Sequence, residues 1–399
     1  MPVASPSAPP PTLPQLIPAR RAAIAPFIAM DVMREANLLE KAGRSIIHME
    51  VGEPSAAPPP LVREAAIAAL GGQKVGYTDA LGLFSLRQRI ARHYRDTYGV
   101  AVEAERIAVT TGSSGGFVMA FLALFDVGAR VAVSAPGYPA YRNIFAALGI
   151  ETVELRTDAS TRFAVTAEMI AAAHRQKPVD GLLLMSPANP TGAMLGDLQL
   201  REVTELCDRL GIPFISDEIY HGLTYERPAQ TALAFSQRAI VVNSFSKYYC
   251  MTGWRIGWLV LPPEMVRPVE RLQQSMAISP PTLSQIAAEA AFDSRDELEK
   301  IKEGYARNRA ILLNGLPKLG FSDLAPADGA FYVYLDISRW TEDSTQFCHE
   351  LLHQAGVAAT PGLDFDPTQG NRALRLSYAG AEADMVEALR RIGDWLARR

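Results

Sequence analysis

Three polar side chains that could do chemistry each follow a short apolar run of the sequence. They are Asn189, Asp217 and Lys247, and Ser244 and Ser246 lie close to the last of them. If the apolar runs are parallel strands, these side chains stand at strand carboxyl ends, where open parallel sheets bind their ligands. The pattern therefore predicts one crevice that carries an amide, a carboxylate, hydroxyl groups and an amine.

A segment rich in glycine and serine, residues 112–116, follows a fourth apolar run and opens a predicted helix. Backbone N–H groups at a helix N-terminus bind anions, so this segment is suited to a phosphate group. It matches neither the P-loop, which ends in Gly-Lys-Ser/Thr, nor the GxGxxG fingerprint. The sequence thus predicts an anion site without either of these nucleotide motifs.

Each of these features also has a purely structural interpretation. Residues 112–116 alone could form an ordinary turn between a strand and a helix. Residues 189–192 could form a simple loop, since asparagine, proline and glycine favour turns. Asp217 could cap a helix, and Lys247 could be a solvated loop residue. Their joint occurrence at the ends of successive predicted strands favours a site.

The elements that would position these residues alternate along the chain. From about residue 61, helical patterns alternate with short apolar runs, which is typical of βα repetition around a mostly parallel sheet. Helices are predicted, for example, over residues 116–125 and 198–210. The apolar runs predict strands because they are short and mostly aliphatic or β-branched. They span residues 106–110, 130–134, 181–185, 212–215 and 239–242.

A domain boundary is predicted near residues 279–281, where a serine precedes two prolines. Prolines interrupt helices and mark boundaries. A long charged helix is predicted over residues 285–305, followed by strands over 331–335 and 373–377 and a terminal helix from about residue 381. This arrangement is typical of a smaller α+β domain.

The composition is that of a soluble globular protein. With 399 residues, and a prior of roughly 150 residues per domain, two or three domains are expected. The content of 48% hydrophobic and 21% charged residues excludes wholesale disorder. A net charge of -4 gives no reason to expect nucleic acid or a membrane as partner. Three widely spaced cysteines predict neither a disulfide framework nor a metal site, and no transmembrane segment is predicted.

The first 19 residues carry seven prolines and no charge. They lack the basic and apolar regions of a signal peptide. We therefore predict a disordered, proline-rich lead-in over residues 1–19 and a cytoplasmic location.

Residues 244–257, with the sequence SFSKYYCMTGWRIG, resemble the lysine motif of the fold type I pyridoxal-phosphate enzymes. The resemblance is to their class I/II aminotransferase branch, to which aspartate aminotransferase belongs. It extends from about residue 19 to the C-terminus and implies a large α/β domain with a mostly parallel sheet and a small α+β domain. Further matching segments follow the order found in that family, at residues 51–54, 77–82, 111–113, 136–139, 189–192, 217–220 and 375–378.

The resemblance implies pyridoxal 5'-phosphate (PLP) as the cofactor. Lys247 would form the Schiff base with it and, once freed by the substrate, move the proton from Cα. Asp217 would keep the pyridine nitrogen protonated, which makes the ring an electron sink. Tyr220 and Asn189 would hydrogen-bond the phenolic oxygen, and Tyr138 would stack on the ring.

The resemblance also implies how the phosphate is held. Gly112, Ser113 and Ser114 at a helix N-terminus would bind it together with Ser244 and Arg255, since arginine and backbone donors suit a dianion.

Tyr77 resembles a tyrosine that reaches the phosphate from the neighbouring subunit, which implies a homodimer with shared active sites. The alternative is a turn tyrosine within one chain. For the substrate, Arg375 resembles the arginine that grips the α-carboxylate, Gly52 a point of close backbone approach, and Asn189 a further contact. The alternative partner of Arg375 is an internal Asp or Glu.

The predicted large PLP-binding domain spans residues 55–285, and the small domain combines residues 20–54 with 286–399. The implied reaction is transamination between an L-amino acid and a 2-oxo acid through Lys247. Because no second arginine can be placed for a distal carboxylate, aspartate, glutamate with 2-oxoglutarate, alanine, and aromatic or other neutral amino acids stay open as substrates.

Two alternatives to transamination are retained. A PLP-dependent C–S β-lyase or decarboxylase would use the same cofactor motifs on the same fold. A non-catalytic regulator would need a DNA-binding domain, for which the lead-in is too short, and the presence of Lys247 and Asp217 speaks against it.

Overall fold

The computed structural model describes residues 16–72 and 74–399, and the predicted lead-in lies outside them up to residue 15. Twelve strands occur in this part of the chain: β1 (Ile47–His48), β2 (Ile107–Thr110), β3 (Arg130–Ala135), β4 (Glu151–Arg156), β5 (Gly181–Met185), β6 (Phe214–Asp217), β7 (Ile240–Ser244), β8 (Gly257–Val260), β9 (Tyr332–Asp336), β10 (Val357–Ala358), β11 (Thr360–Pro361) and β12 (Ala373–Ser377). Its twelve α-helices are α1 (Ile28–Lys41), α2 (Pro60–Gly72), α3 (Phe84–Tyr98), α4 (Gly112–Leu124), α5 (Pro139–Leu148), α6 (Ala167–Gln176), α7 (Asp197–Leu210), α8 (Pro263–Met276), α9 (Thr282–Ala291), α10 (Arg295–Gly315), α11 (Ser344–Glu350) and α12 (Glu382–Leu396). None of these helices combines the length and the apolarity needed to traverse a bilayer.

Seven strands form the central sheet, in the order β2-β8-β7-β6-β5-β3-β4. Strands β3 to β7 run parallel, while β8 is antiparallel to both of its neighbours. The prediction of an α/β fold with a mostly parallel sheet is confirmed. Strands β5, β6 and β7 are buried almost throughout, as expected where helices cover both faces of a sheet.

The predicted set of strands lacks two of these seven, β4 and β8. Strand β4 lies at the edge of the sheet, and its alternation of charged residues such as Glu151 and Glu154 with apolar ones gives it no apolar run. Strand β8 begins at Gly257, the last residue of the lysine motif, and its four buried residues do form an apolar run, which the strand prediction omits. A search for apolar runs misses an edge strand such as β4, because charged residues interrupt its apolar ones.

The helix predicted over residues 285–305 is wrong as a single element, because the chain forms α9 and α10 with a break between them. Phe292 lies in the break. Its ring centroid is 5.2 Å from that of Phe245 and 6.4 Å from that of Trp258. The ring is partly buried against the core, and these aromatic contacts stabilise the interrupted geometry.

The register of β5, β6 and β7 aligns their carboxyl ends. Met185 pairs with Asp217, and Asp217 pairs with Val242. Helix α7, which connects β5 to β6, ends where Gly211 takes a left-handed conformation with φ 68°, which glycine adopts without strain. Residues just beyond the three strand ends therefore lie on one edge of the sheet.

Strands from the N-terminal part and the C-terminal part of the described chain pair with each other. Strand β1 pairs in parallel with β10, and β11, β12 and β9 form an antiparallel sheet. An apolar cluster that includes Met49, Tyr332 and Leu376 packs these strands against α10 and α12. The N-terminal strand is thus built into the same core as the C-terminal part.

Replacing Leu183 with alanine should destabilise the centre of the large sheet. This β5 side chain is fully buried, so its truncation leaves a cavity and should cost about 2–5 kcal/mol of unfolding free energy. Leu198 on α7 is 68% exposed and provides the control, with an expected change of Leu198→Ala within about 0.5 kcal/mol. Urea unfolding followed by circular dichroism measures both, and equal midpoints would contradict this placement of β5.

Candidate active site

A cavity of about 210 Å³ lies at the carboxyl ends of β5, β6 and β7. Its walls also include the start of α4, residues of β9 and β12, and the segment that leads into α1. Segments far apart in the sequence therefore meet in one place. Most of the predicted site residues line it, namely Gly52, Ser113, Ser114, Tyr138, Asn189, Asp217, Tyr220, Lys247, Arg255 and Arg375.

Lys247 lies in the loop after β7, and its Nζ donates a hydrogen bond to the backbone oxygen of Gly52 at 2.6 Å. Burial lowers the pKa of Lys247 to about 8, with Glu53 raising it and Arg375 and Arg255 lowering it. An amine with this pKa is substantially neutral in weakly alkaline solution. It can therefore act as a nucleophile towards an aldehyde and as a general base.

Asp217 is the last residue of β6 and is only 1% exposed. Its Oδ1 accepts a hydrogen bond from the N–H of Ile219 at 3.1 Å, and the Tyr141 hydroxyl donates to its Oδ2. Burial raises the pKa of Asp217 to about 7, and the hydrogen bonds from Tyr141 and Ile219 lower it. The carboxyl group is thus held in one orientation, and a cationic ring nitrogen beside it would favour its charged form.

Tyr141 is a functional candidate that sequence reasoning missed. It lies in the first turn of α5, three residues beyond Tyr138, and the two ring centroids are 5.3 Å apart. Tyr138 is the N-cap residue of α5 and Tyr141 is its third helical residue, so the two side chains lie at the same end of the helix. The same spacing could have identified Tyr141 once Tyr138 was assigned to the site.

Arg375 projects from β12 into the cavity and is 2% exposed. Its Nη1 donates to Asn189 Oδ1 at 2.9 Å, and its Nη2 donates to the Glu50 backbone oxygen and to Thr360 Oγ1 at 3.2 Å. Its Nε has no partner, and its guanidinium lies 4.4 Å from the ring centroid of Tyr332. All these partners are uncharged groups. Within the described chain Arg375 forms no ion pair or hydrogen bond with an Asp or Glu side chain, so it fits an anionic ligand.

Tyr220 and Tyr332 form a hydroxyl pair, with their oxygens 2.6 Å apart. Tyr332 was missed by sequence reasoning, which placed it in a strand but assigned it no role. A Cβ atom at position 52 would overlap the Tyr332 hydroxyl, so only glycine fits there. This contact explains physically why Gly52 allows a close approach of the backbone.

The start of α4 forms an anion site together with Arg255. The helix begins at Gly112, which has φ 67°, and a Cβ there would stand 2.6 Å from Arg255 Nη2. Ser113 and Ser114 in the first turn line the cavity. A guanidinium held against the positive end of a helix dipole is unfavourable unless an anion lies between them. The phosphate group of PLP meets this requirement.

Three predicted site residues do not line the cavity. Arg255 lies between Gly112 and the cavity, and Ser246 lies between Ser244 and the cavity. Ser244 Oγ is 2.9 Å from Ser246 Oγ and donates to the Ile256 backbone oxygen at 3.0 Å. Ser246 itself lines the cavity. Tyr77 is 81% exposed in the single chain.

One wall of the cavity is apolar and comes from the N-terminal segment. Phe27 and Met30 line it, together with Val51. The start of α1 is held in place because the N–H groups of Ile28 and Ala29 donate to Asp364 at 3.0 and 3.2 Å. Nothing in the local sequence pattern signals this wall, since its position depends on contacts across the whole chain.

Residues 44–392 match the sequence model of the family described as aminotransferase class I and II. The valine–pyruvate aminotransferase of Mycobacterium tuberculosis is 48% identical over 382 residues, which cover 95% of this chain and 98% of that protein. A crystal structure of an aminotransferase from Mycobacterium tuberculosis superposes with a TM-score of 0.94 at 47% identity, covering 96% of this chain and 100% of the other. The aspartate aminotransferase of Thermus thermophilus with maleate gives a TM-score of 0.90 at 32% identity, covering 95% and 100%. The chain therefore belongs to the class I and II aminotransferases and is a PLP-dependent enzyme that exchanges an amino group between an amino acid and a 2-oxo acid.

Proposed function

We propose that the enzyme transfers the amino group of a neutral aliphatic amino acid of the valine type to pyruvate. The observation that carries this proposal is the charge distribution in the cavity. Within the described chain its cationic lining residues are Lys247, Arg255 and Arg375. We assign these to the cofactor aldehyde, the phosphate and the α-carboxylate, so none is left for a distal carboxylate.

The apolar wall supports the same substrate class. A branched aliphatic side chain would gain about 25 cal/mol for each Å² of apolar surface that it buries against Phe27, Met30 and Val51. A carboxylate in that position would lose its water without gaining a cation from this wall. The 48% identical relative named valine–pyruvate aminotransferase points to the same pair of substrates.

The proposed roles follow from the geometry of each side chain. When bound, PLP supplies a ring that accepts electrons and carries the amino group between the two substrates. Lys247 would hold the cofactor covalently in the resting enzyme and would move the proton at the substrate Cα. Asp217 would keep the ring nitrogen protonated, and Tyr141 orients the Asp217 carboxyl group through their hydrogen bond.

Arg375 would orient the substrate by its carboxylate. Its Nε is free, and its Nη1 is already aligned by Asn189. A guanidinium donates charge-assisted hydrogen bonds to a carboxylate, and the Nε without a partner is available for one of them, which would orient the substrate by its carboxylate. The hydroxyl pair of Tyr220 and Tyr332 borders the same space, where Tyr220 would donate to the cofactor's phenolic oxygen.

We further propose that the chain divides into a large PLP-binding domain over residues 55–285 and a small domain that combines residues 20–54 with 286–399. Two features support this division. The apolar side chains of the large sheet and its helices form their own clusters, and a separate cluster surrounds β9 and β12. The pairing of β1 with β10 supports grouping the N-terminal segment with the second cluster.

A homodimer with shared active sites is proposed from the surface around Tyr77. The exposed apolar side chains of Val75 and Ile278 belong to this surface. The two segments are adjacent, because the N–H of Thr78 donates to Ser279 Oγ at 3.4 Å. Exposed apolar patches of this kind mark interaction surfaces, and a second copy of the chain would cover this one.

We also propose a cytoplasmic location. It is supported by the three cysteines, which are buried and unpaired, as is usual for proteins of a reducing compartment.

Removing the Tyr141 hydroxyl should slow catalysis without releasing the cofactor. A hydrogen bond to a charged group contributes about 1.5–3 kcal/mol, so Tyr141→Phe should lower kcat by about 10- to 100-fold. The lost donor should also raise the pKa of Asp217 and move the acid limb of the pH profile to higher pH. Tyr225→Phe is the control, since that hydroxyl donates to the Ala330 backbone oxygen outside the cavity. An unchanged kcat and acid limb in Tyr141→Phe would refute this role.

The substrate proposal predicts a preference for valine over aspartate of at least about 10-fold in kcat/KM. The purified yellow protein is mixed with one amino acid at a time, and the loss of cofactor colour and the 2-oxo acid formed are both measured. Valine should give a stoichiometric 2-oxo acid, and pyruvate should restore the colour. Lys247→Ala should bind PLP without covalent attachment and should not react. A preference for aspartate would contradict the substrate class.

Shared active sites predict complementation between two impaired variants. In a heterodimer of Lys247→Ala with Tyr77→Ala, one site contains both an intact Lys247 and an intact Tyr77 from the other chain. Random pairing should restore about a quarter of the wild-type activity. Lys247→Ala paired with Asp217→Asn is the control, because both residues belong to the same chain's site and no complete site forms. Equal activity of the two mixtures would contradict a shared site.

A further inference from the structure

Three side chains of ligand type converge on the outer face of α1, away from the catalytic cavity. Glu35 projects from α1, His349 from α11, and His353 from the π-helical turn Leu351–Ala355 that continues α11. Glu35 Oε1 lies 2.7 Å from His353 Nε2 and 3.7 Å from His349 Nε2. All three ligand atoms lie within 4.8 Å of one another.

The backbone beneath this cluster is held by buried apolar contacts. Ala36 and Leu352, the neighbours of Glu35 and His353 in sequence, are buried in one apolar cluster that packs α1 on the π-helical turn. The two imidazoles are four residues apart and lie face to face, with centroids 4.3 Å apart and planes inclined by 31°. Both direct Nε2 towards the same carboxylate oxygen. The separation of the three groups is therefore set by the fold, while their exposed ends can adjust.

The ligand set matches the chemistry of a divalent transition metal. Neutral imidazole nitrogen and carboxylate oxygen are ligands that Zn²⁺ accepts, at about 2.0–2.2 Å. Such bonds in a tetrahedral site place the ligand atoms roughly 3.3 Å apart. The observed separations of 2.7 and 3.7 Å lie on either side of that value.

We propose that Glu35, His349 and His353 form a binding site for one divalent transition-metal ion of the Zn²⁺ type, with water as the remaining ligand. The ion would replace the direct contact between Glu35 and His353 and join α1 to the helical segment 344–355. The first turn of α1 supplies Met30 to the apolar wall of the cavity. Metal binding at the outer face would thus restrain the helix that shapes the substrate pocket.

Zn²⁺ binding to the untagged holoenzyme tests the proposal. The protein is freed of metal with a chelator, dialysed against Zn²⁺, and assayed for bound metal. About one ion per chain is expected. Glu35→Gln, His349→Ala and His353→Ala should each weaken binding by at least about 10-fold.

The control is Glu40→Gln, an equivalent change on the same helix at a carboxylate that lies 3.3 Å from His48. It should bind Zn²⁺ like the wild type. Hydrogen exchange gives a second measurement, because Zn²⁺ should slow exchange of the α1 amides in the wild type and in Glu40→Gln but not in His349→Ala. Failure to retain Zn²⁺, or equal retention by all four variants, would show that Glu35 and His353 contact each other directly and form no metal site.

Discussion

The arrangement of the cavity depends on two arginine side chains, Arg255 and Arg375, that form no ion pair with a carboxylate in the part of the chain that the structure describes. Arg375 stands on the small antiparallel sheet, and Arg255 lies against the start of α4 beside the large sheet. The guanidinium of Arg375 is removed from water, which is costly unless a ligand supplies negative charge. Arg255 is exposed to solvent, but it places a second cation against the positive end of a helix, where an anion is favoured. Arg375 belongs to the small sheet and Arg255 lies two residues before β8 of the large sheet, so the anions that they bind lie between the two sheets. A phosphorylated cofactor and a carboxylate substrate, bound side by side, meet both requirements.

Much of the site could be predicted because its chemistry is encoded locally. The segment that carries Lys247 and Arg255 is continuous, and Asp217 and Asn189 follow recognisable apolar strands. Parallel strands bring their carboxyl ends to one edge, so the convergence of these groups follows from the alternation of strands and helices. The start of α4 was predictable for the same reason, since its glycines and serines stand directly after β2.

The remaining residues could not be predicted because their roles depend on contacts between distant segments. Tyr332 belongs to the site only because β9 brings it against Tyr220. Phe27 and Met30 precede the recognisable motifs and reach the cavity because Asp364 anchors the start of α1. The break between α9 and α10 is likewise a tertiary effect, since the inward turn of Phe292 is stabilised by rings from elsewhere in the chain.

The contact between Gly52 and Tyr332 constrains how the enzyme can evolve. A Cβ at position 52 would overlap the Tyr332 hydroxyl, and the same glycine offers its carbonyl oxygen to Lys247. Any larger residue at position 52 would therefore displace the Tyr332 side chain, or would shift the backbone oxygen that accepts the hydrogen bond from Lys247. Substitution of Tyr332 must come first, since it alone opens the space for a side chain opposite. A related enzyme with side chains changed at both positions can therefore arise only if Tyr332 is replaced before Gly52. In aligned sequences, positions 52 and 332 should vary together.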